Sequence, residues 1–234
     1  MTRYSLATAR PARQRPPGGR GSAWRVPVAL AVLVMIPLIA GSLRVLELAG
    51  GERLLPDNAR IAASPAPLVV HVVGAAVFAL AGAFQFPARI RRGHPAWHRG
   101  AGRLLVAAGL AVAGSGLWMT LFYHDAPGGL LLWTVRIAVA VAMASSLVLG
   151  VAAIRRGDVL AHRAWMIRAY ALAVAAGTQA FTQGLGEGLF GKSDLSTALS
   201  VSAGWLINAA VAEWVIRRPG VRRTERSATV MTVS

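Results

Sequence analysis

Six long apolar runs punctuate the chain: Val26 to Leu48, Ala66 to Pro87, Leu104 to Tyr123, Leu130 to Ile154, Ala164 to Leu185 and Ser196 to Ile216. Each approaches the ~20 residues that carry a helix across ~30 Å of hydrocarbon at about 1.5 Å per residue. None has the two-residue alternation of a barrel strand, and a bilayer admits only helices or closed barrels because it holds no water for unpaired backbone groups. The pattern predicts an all-α polytopic membrane bundle of about six transmembrane helices.

The polar stretches between the runs divide into two kinds. Arg89 to Arg103, Arg155 to Arg163 and Arg217 to Arg226 are rich in arginine, whereas Gly50 to Pro65 and Gly186 to Leu195 carry both signs and His124 to Gly129 has Asp125 and no arginine. The positive-inside rule puts the first set, with both chain ends, in the cytoplasm. Residues 1–25 hold Arg3, Arg10, Arg13, Arg15, Arg20 and Arg25 among Pro, Gly and Ser, and read as a disordered basic tail; residues 217–234 read as a second one. The transmembrane domain then spans 26–216. The first run follows a basic stretch as a signal sequence would, but it is long and Leu38-Ile39-Ala40 lacks the small-residue pattern of a cleavage site, so it reads as an uncleaved anchor.

Composition agrees. Apolar residues make up 55% of the 234 and the mean hydropathy is +0.53, too greasy to cover a soluble globule. A net charge of +16 would suggest nucleic acid on a soluble domain, but here the charge sits in tails and alternate loops, which excludes that partner. Lys192 is the single lysine among 25 basic side chains, a usage that suggests a GC-rich bacterial genome and hence the bacterial inner membrane. The absence of cysteine removes disulfides, thiolate metal sites and iron–sulfur clusters.

The two inner loops are near copies. Ile90-Arg91-Arg92-Gly93, four residues, then His98-Arg99 is matched by Ile154-Arg155-Arg156-Gly157, four residues, then His162-Arg163, and Arg103 and Arg168 follow just inside the next helices. Both flanking hairpins run outside to inside to outside, so the repeat is parallel and predicts a pseudo-symmetric four-helix core of spans two to five, about 66–185.

Ionisable groups inside spans are functional candidates by default: His71, Arg136, Arg168 and Glu213. His71 and Arg136 lie roughly 6 to 9 Å below the outer helix ends, at the level of Gln179 and Gln183, where they would line one outward-facing polar pocket. At the inner end, paired imidazoles from His98 and His162 would clasp the iron of a haem b while Arg99, Arg163, Arg103 and Arg168 neutralise its propionates. His71 with His124 is the corresponding outer pair, at poorly matched depths. Arg168 beneath the inner headgroups needs an anionic partner, for which Glu213 is the best candidate within the chain.

Other motifs carry less. His94 and His98 have metal-pair spacing, but Pro95 disfavours a helix through them and no carboxylate completes a site, so no metal is expected. Gly186-Glu187-Gly188-Leu189-Phe190-Gly191 fits a dinucleotide fingerprint only literally; it follows a membrane helix and reads as a flexible outer loop. No paired catalytic carboxylates or Ser-His-Asp arrangement stands out.

His71, Gly82-Ala83-Phe84-Gln85-Phe86, Pro95-Ala96-Trp97-His98-Arg99 with Gly102-Arg103, and the run His162-Arg163-Ala164-Trp165-Met166-Ile167-Arg168-Ala169-Tyr170-Ala171-Leu172 carry a resemblance to the domain-of-unknown-function 2306 family of bacterial membrane proteins. The family pattern has a further arginine in the fifth span, where this chain has Thr178-Gln179. The resemblance implies the membrane architecture and marks the His-Arg positions without naming a reaction. The residues leave open a haem- or quinone-linked redox protein on one side, and a small permease or a scaffold binding anionic lipid on the other.

Cysteines introduced at Ser5, Gly93, Gly157 and Ser227 are expected to react with an impermeant thiol reagent only from the cytoplasmic side. Labelling of Gly93→Cys and Gly157→Cys from opposite sides would overturn both the topology and the parallel repeat.

Overall fold

The computed structural model describes residues 22–218; the two basic tails fall almost wholly outside the described residues. Among the described residues the chain forms helices and no strand: α1 Ser22–Leu48, α2 Ala59–Ala63, α3 Ala66–Ala83, α4 Ala88–Gly93, α5 Pro95–Phe122, α6 Gly129–Arg155, α7 Val159–Ala173, α8 Ala175–Phe190 and α9 Asp194–Arg217. Of these, α1, α3, α5, α6 and α9 are long and apolar enough to cross a bilayer. The remaining pass is made by α7 and α8 in series. Asp194, opening α9, accepts a hydrogen bond from the backbone N–H of Gly128, just before α6, at 2.9 Å, so α6 and α9 start on one face. The chain between them must therefore cross and return.

The surface polarity is inverted relative to a water-soluble protein. Leu130 and Phe190 are 76% and 78% exposed, while Ser115, Thr120, Ser146, Ser196 and Asn208 are buried. Such a surface belongs in lipid, where apolar side chains face outward and polar ones pair between helices.

In the core, α3 packs on α5, α5 on α6, α6 on α7, and α7 closes the ring against α3, while α1 and α9 lie outside it. Small residues set the closest approaches. A Cβ at Gly109 would meet the ring of Phe78 and the side chain of Leu147, and one at Gly82 would meet Tyr170. Tyr170 fixes the closing contact: its hydroxyl donates to the carbonyl of Ala79 at 2.7 Å and its ring packs on Phe78 and Phe86 at 5.9 and 4.9 Å.

The break between α7 and α8 is the main departure from six plain spans. The helical ladder stops at the bond from Val174 N–H to the Tyr170 carbonyl. The next carbonyl, Ala171, instead accepts Asn208 Nδ2 from α9 at 2.9 Å, and Asn208 Oδ1 accepts the hydroxyl of Thr178 in α8 at 2.7 Å. Gly177 meets a second loose end. Pro37 has no N–H to give the carbonyl of Leu33 in α1, and Gly177 packs so close to that oxygen that a Cβ there would overlap it.

Pro95 occupies the first turn of α5, where its missing N–H would have had no partner, so the helix contains His98 and leaves His94 outside it as the N-cap. One local expectation is corrected. Gly186 to Phe190 is not a loop but the last turn of α8, because Gly186 lets that turn press against Ser200 of α9.

Replacing Asn208 by Leu removes two interhelical bonds of about 0.6–1.7 kcal/mol each. Asn208→Leu is expected to lower the thermal midpoint in detergent clearly more than Thr178→Val, which removes one. Equal losses would mean that capping the Ala171 carbonyl contributes nothing.

Candidate functional site

The end of the bundle that the arginine pattern assigns to the inner side, called the inner end for that reason, gathers most of the candidate groups. α5 starts at Pro95 and α7 at Val159, so His98 and His162 are each the fourth residue of an outward-going helix. The offset of the loop repeat thus carries into three dimensions. His98 lies within electrostatic range of Arg91, Arg99 and His162.

The two imidazoles differ in their support. His162 Nδ1 bonds the carbonyl of Gly150 in α6 at 2.8 Å. A carbonyl only accepts, so in the neutral ring the proton is on Nδ1 and Nε2 keeps a lone pair. The repeat-related carbonyl for His98 belongs to Phe86. α3, however, ends at Ala83 and the chain turns away through Phe84 to Pro87, whereas α6 continues to Arg155. Among the described residues His98 Nδ1 has no partner, nor does either polar atom of the Gln85 side chain, and all three atoms are buried. Gln85 belongs to the Gly-Ala-Phe-Gln-Phe motif but was not a sequence candidate. An uncharged amide in an apolar run has no signal until its burial is known.

Trp24, Phe84, Pro87, Arg89, Ile90, His94 and Trp97 line a groove of about 630 Å³. It sits where α1, α3, α4 and α5 meet the inner interface. Its lining combines two indoles, a guanidinium and an imidazole with no carboxylate. Arg99 and Arg103 are exposed on α5, and Arg163 is half-buried on α7. Tryptophan and arginine at this level suit a layer that is apolar on one side and anionic on the other.

Arg168 is engaged within the chain. Its Nε and an Nη donate to the two carboxylate oxygens of Glu213 at 2.6 and 3.2 Å, Arg217 approaches the same carboxylate at 3.4 Å, and the guanidinium lies 4.7 Å over the ring of Trp165. The expected partnership with Glu213 is formed, and Arg103 does not compete for it.

At the outer end the candidates separate. His71 Nδ1 faces the Val112 carbonyl and Ser115 Oγ, both at 3.1 Å, across the α3–α5 contact. Gln179 instead donates to the Val201 carbonyl of α9 at 3.1 Å, and Gln183 to Glu187 at 3.4 Å. The His71 bonds lie between α3 and α5, that of Gln179 between α8 and α9, and that of Gln183 within α8, so these bonds do not join His71 and the two glutamines in one pocket. Arg136 is half-buried on α6, and His124 lies beyond the end of α5. Among the described residues no cluster of three His, Cys, Asp or Glu side chains forms a metal site.

A family model described as predicted membrane protein (DUF2306) matches residues 68–216. The chain belongs to this family. The match covers α3 to α9, including both inner loops and Glu213. No curated protein and no solved structure matches the chain.

Neutralising Arg168 or Glu213 alone strands a poorly solvated charge, whereas neutralising both does not. In a cycle of Arg168→Gln and Glu213→Gln, the thermal stability losses in detergent are expected to be non-additive, with a coupling energy on the order of 0.5–3 kcal/mol. Additive losses would show that the ion pair contributes no stability.

Proposed function

We propose, on the premise that the chain is a multi-pass member of this membrane-protein family, that it binds anionic lipid headgroups at the cytoplasmic face of a bacterial inner membrane, with both termini in the cytoplasm. The groove lined by Trp24, Arg89, His94 and Trp97 carries this reading. It is open at headgroup depth, has aromatic walls for glycerol and acyl carbons, and holds the Arg89 guanidinium and the His94 imidazole with no carboxylate in its lining. A basic pocket between helices on the cytoplasmic side is a recurrent solution for binding phosphate headgroups. α4 adds Arg91 and Arg92 in its last turn, which holds the local potential positive. In this reading the protein is a lipid-dependent scaffold or a permease whose inner entrance recruits its amphiphile. The broken pass supports the permease variant, since discontinuous helices are common where a transporter must move.

A second reading, haem b, is favoured by one observation: His162 is oriented through Nδ1 on Gly150 with the Nε2 lone pair available, and His98 is near it at the equivalent helical position. His98 and His162 would hold the iron, Arg99, Arg163 and Arg103 would face the propionates, and Arg168 would not, being paired with Glu213. Bound haem would supply one-electron chemistry, with a quinone as a membrane partner. The packing of Phe78, Leu105, Leu147 and Tyr170 restricts it to the interfacial end of the bundle.

Each basic side chain at an anionic surface contributes about 1 kcal/mol, or roughly fivefold in affinity. Wild-type protein in detergent is expected to retain phosphatidylglycerol over phosphatidylcholine by native mass spectrometry. Arg89→Gln with His94→Gln is expected to reduce that retention by roughly an order of magnitude. Equal retention of both lipids, or an unchanged double variant, would sink the lipid reading. An absorption spectrum decides the alternative: a Soret band lost in both His98→Ala and His162→Ala would establish haem, and a flat spectrum after reconstitution would remove it.

A further inference from the structure

The groove leaves one basic corner of the inner end unexplained, where α7 meets the end of α9. Glu213 is its centre: the carboxylate accepts Arg168 Nε and an Nη of α7 at 2.6 and 3.2 Å, and Arg217 of α9 approaches it at 3.4 Å. Beside it Arg218 folds back along α9, so that its guanidinium lies 3.2 Å over the ring of Trp214, and Arg168 lies 4.7 Å over Trp165. The corner gathers three guanidiniums and two indoles around one carboxylate. None of these residues lines the groove.

These guanidiniums are placed by contacts within the chain. An arginine that only marks the cytoplasmic end of a span extends toward water and keeps its rotamers. Here an ion pair fixes Arg168 and draws in Arg217, while stacking holds Arg218 by its face. A guanidinium held by its face keeps its N–H edge for an acceptor. Much of the ordering that a ligand would otherwise have to impose is already done.

The adjoining face of α9 shows what kind of ligand reaches them. Ile207, Val211 and Trp214 are exposed and follow one another at spacings of four and three residues, with Arg218 four further on, so they form one column along the helix. The column is apolar as far as the indole and ends at two arginines. It fits an acyl chain that leads to an anionic headgroup, whereas a free phosphate would make no use of it.

We propose that Arg217 and Arg218 bind the phosphodiester of an anionic phospholipid whose chain lies along Ile207, Val211 and Trp214, at a site separate from the groove. Three guanidiniums against one carboxylate leave two positive charges in excess, which a phosphodiester reduces. Glu213 is the positioning residue, since it holds Arg168 and Arg217 to one point. The site rests, as the groove does, on this end of the bundle meeting an anionic leaflet, but it shares no residue with the groove.

The test is photocrosslinking of the full chain in phosphatidylcholine nanodiscs that contain phosphatidylglycerol with a diazirine in its acyl chain, the adducts being mapped by peptide mass spectrometry. Adducts are expected on α9 between Ile207 and Trp214, and unlabelled phosphatidylglycerol in excess is expected to remove them. Arg217→Gln/Arg218→Gln is expected to lower this labelling about tenfold. Arg155→Gln/Arg156→Gln removes the same charge at the end of α6, on the same side of the bundle because α6 and α9 start together, and is expected to leave it within about twofold. All four arginines are exposed at helix ends, so neither double variant disturbs the core. Adducts on α1, α4 or α5 report on the groove, so the two sites stand or fall separately. No adducts on α9, an equal loss in the two double variants, or displacement by inorganic phosphate at constant ionic strength would overturn the site.

Discussion

The fold depends on the rule that no backbone donor or acceptor inside hydrocarbon can be left without a partner. An unbroken helix meets the rule by itself, but α7 and α8 do not form one. Their junction at Val174 releases the Ala171 carbonyl, and a single side chain of α9, Asn208, takes it up while also accepting from Thr178 beyond the break. Asn208 is 9% exposed, so water has little access to replace it. The break is therefore possible only because α9 lies alongside, and α9 is held there through Gly204 and Gly186 against Gln179 and Ser200. Pro37 creates a comparable loose carbonyl in α1, at Leu33, which is covered by Gly177 of α8.

The break also separates the two ends of the molecule. Below it, α7 belongs to a closed ring with α3, α5 and α6, filled by Phe78, Leu105, Leu147 and Tyr170. Above it, α8 leaves the ring and packs between α9 and α1. The ring end carries His98, His162 and the groove, and the other end is made of separate polar contacts, those of His71 between α3 and α5 and that of Gln179 between α8 and α9.

The internal repeat is real in the helices and broken in the chemistry. α5 and α7 start at equivalent positions, but α3 stops before the carbonyl that would support His98, while α6 continues past the one that supports His162. One imidazole is consequently oriented and the other is not. Likewise the two arginines that follow the His-Arg pairs have different fates: Arg168 meets Glu213, and Arg103 faces outward.

The sequence alone determined the membrane architecture, since apolar run length and arginine partition are properties of composition against a bilayer. It also marked His98, His162, Arg136 and the Arg168–Glu213 pair, because a charge in hydrocarbon stands out without any coordinates. It could not find Asn208, Gln85 or the anchoring role of Tyr170, whose importance comes from the neighbour each one meets or lacks. Hydropathy is blind to a helix break as well, because Ala171 to Gly177 reads as apolar whether or not its ladder is continuous. Whether Pro95 ends a helix or begins one, and whether His71 and Gln179 share a pocket, were decided by tertiary packing. Each depends on where a second helix places its carbonyls, and a linear pattern contains no distance between helices.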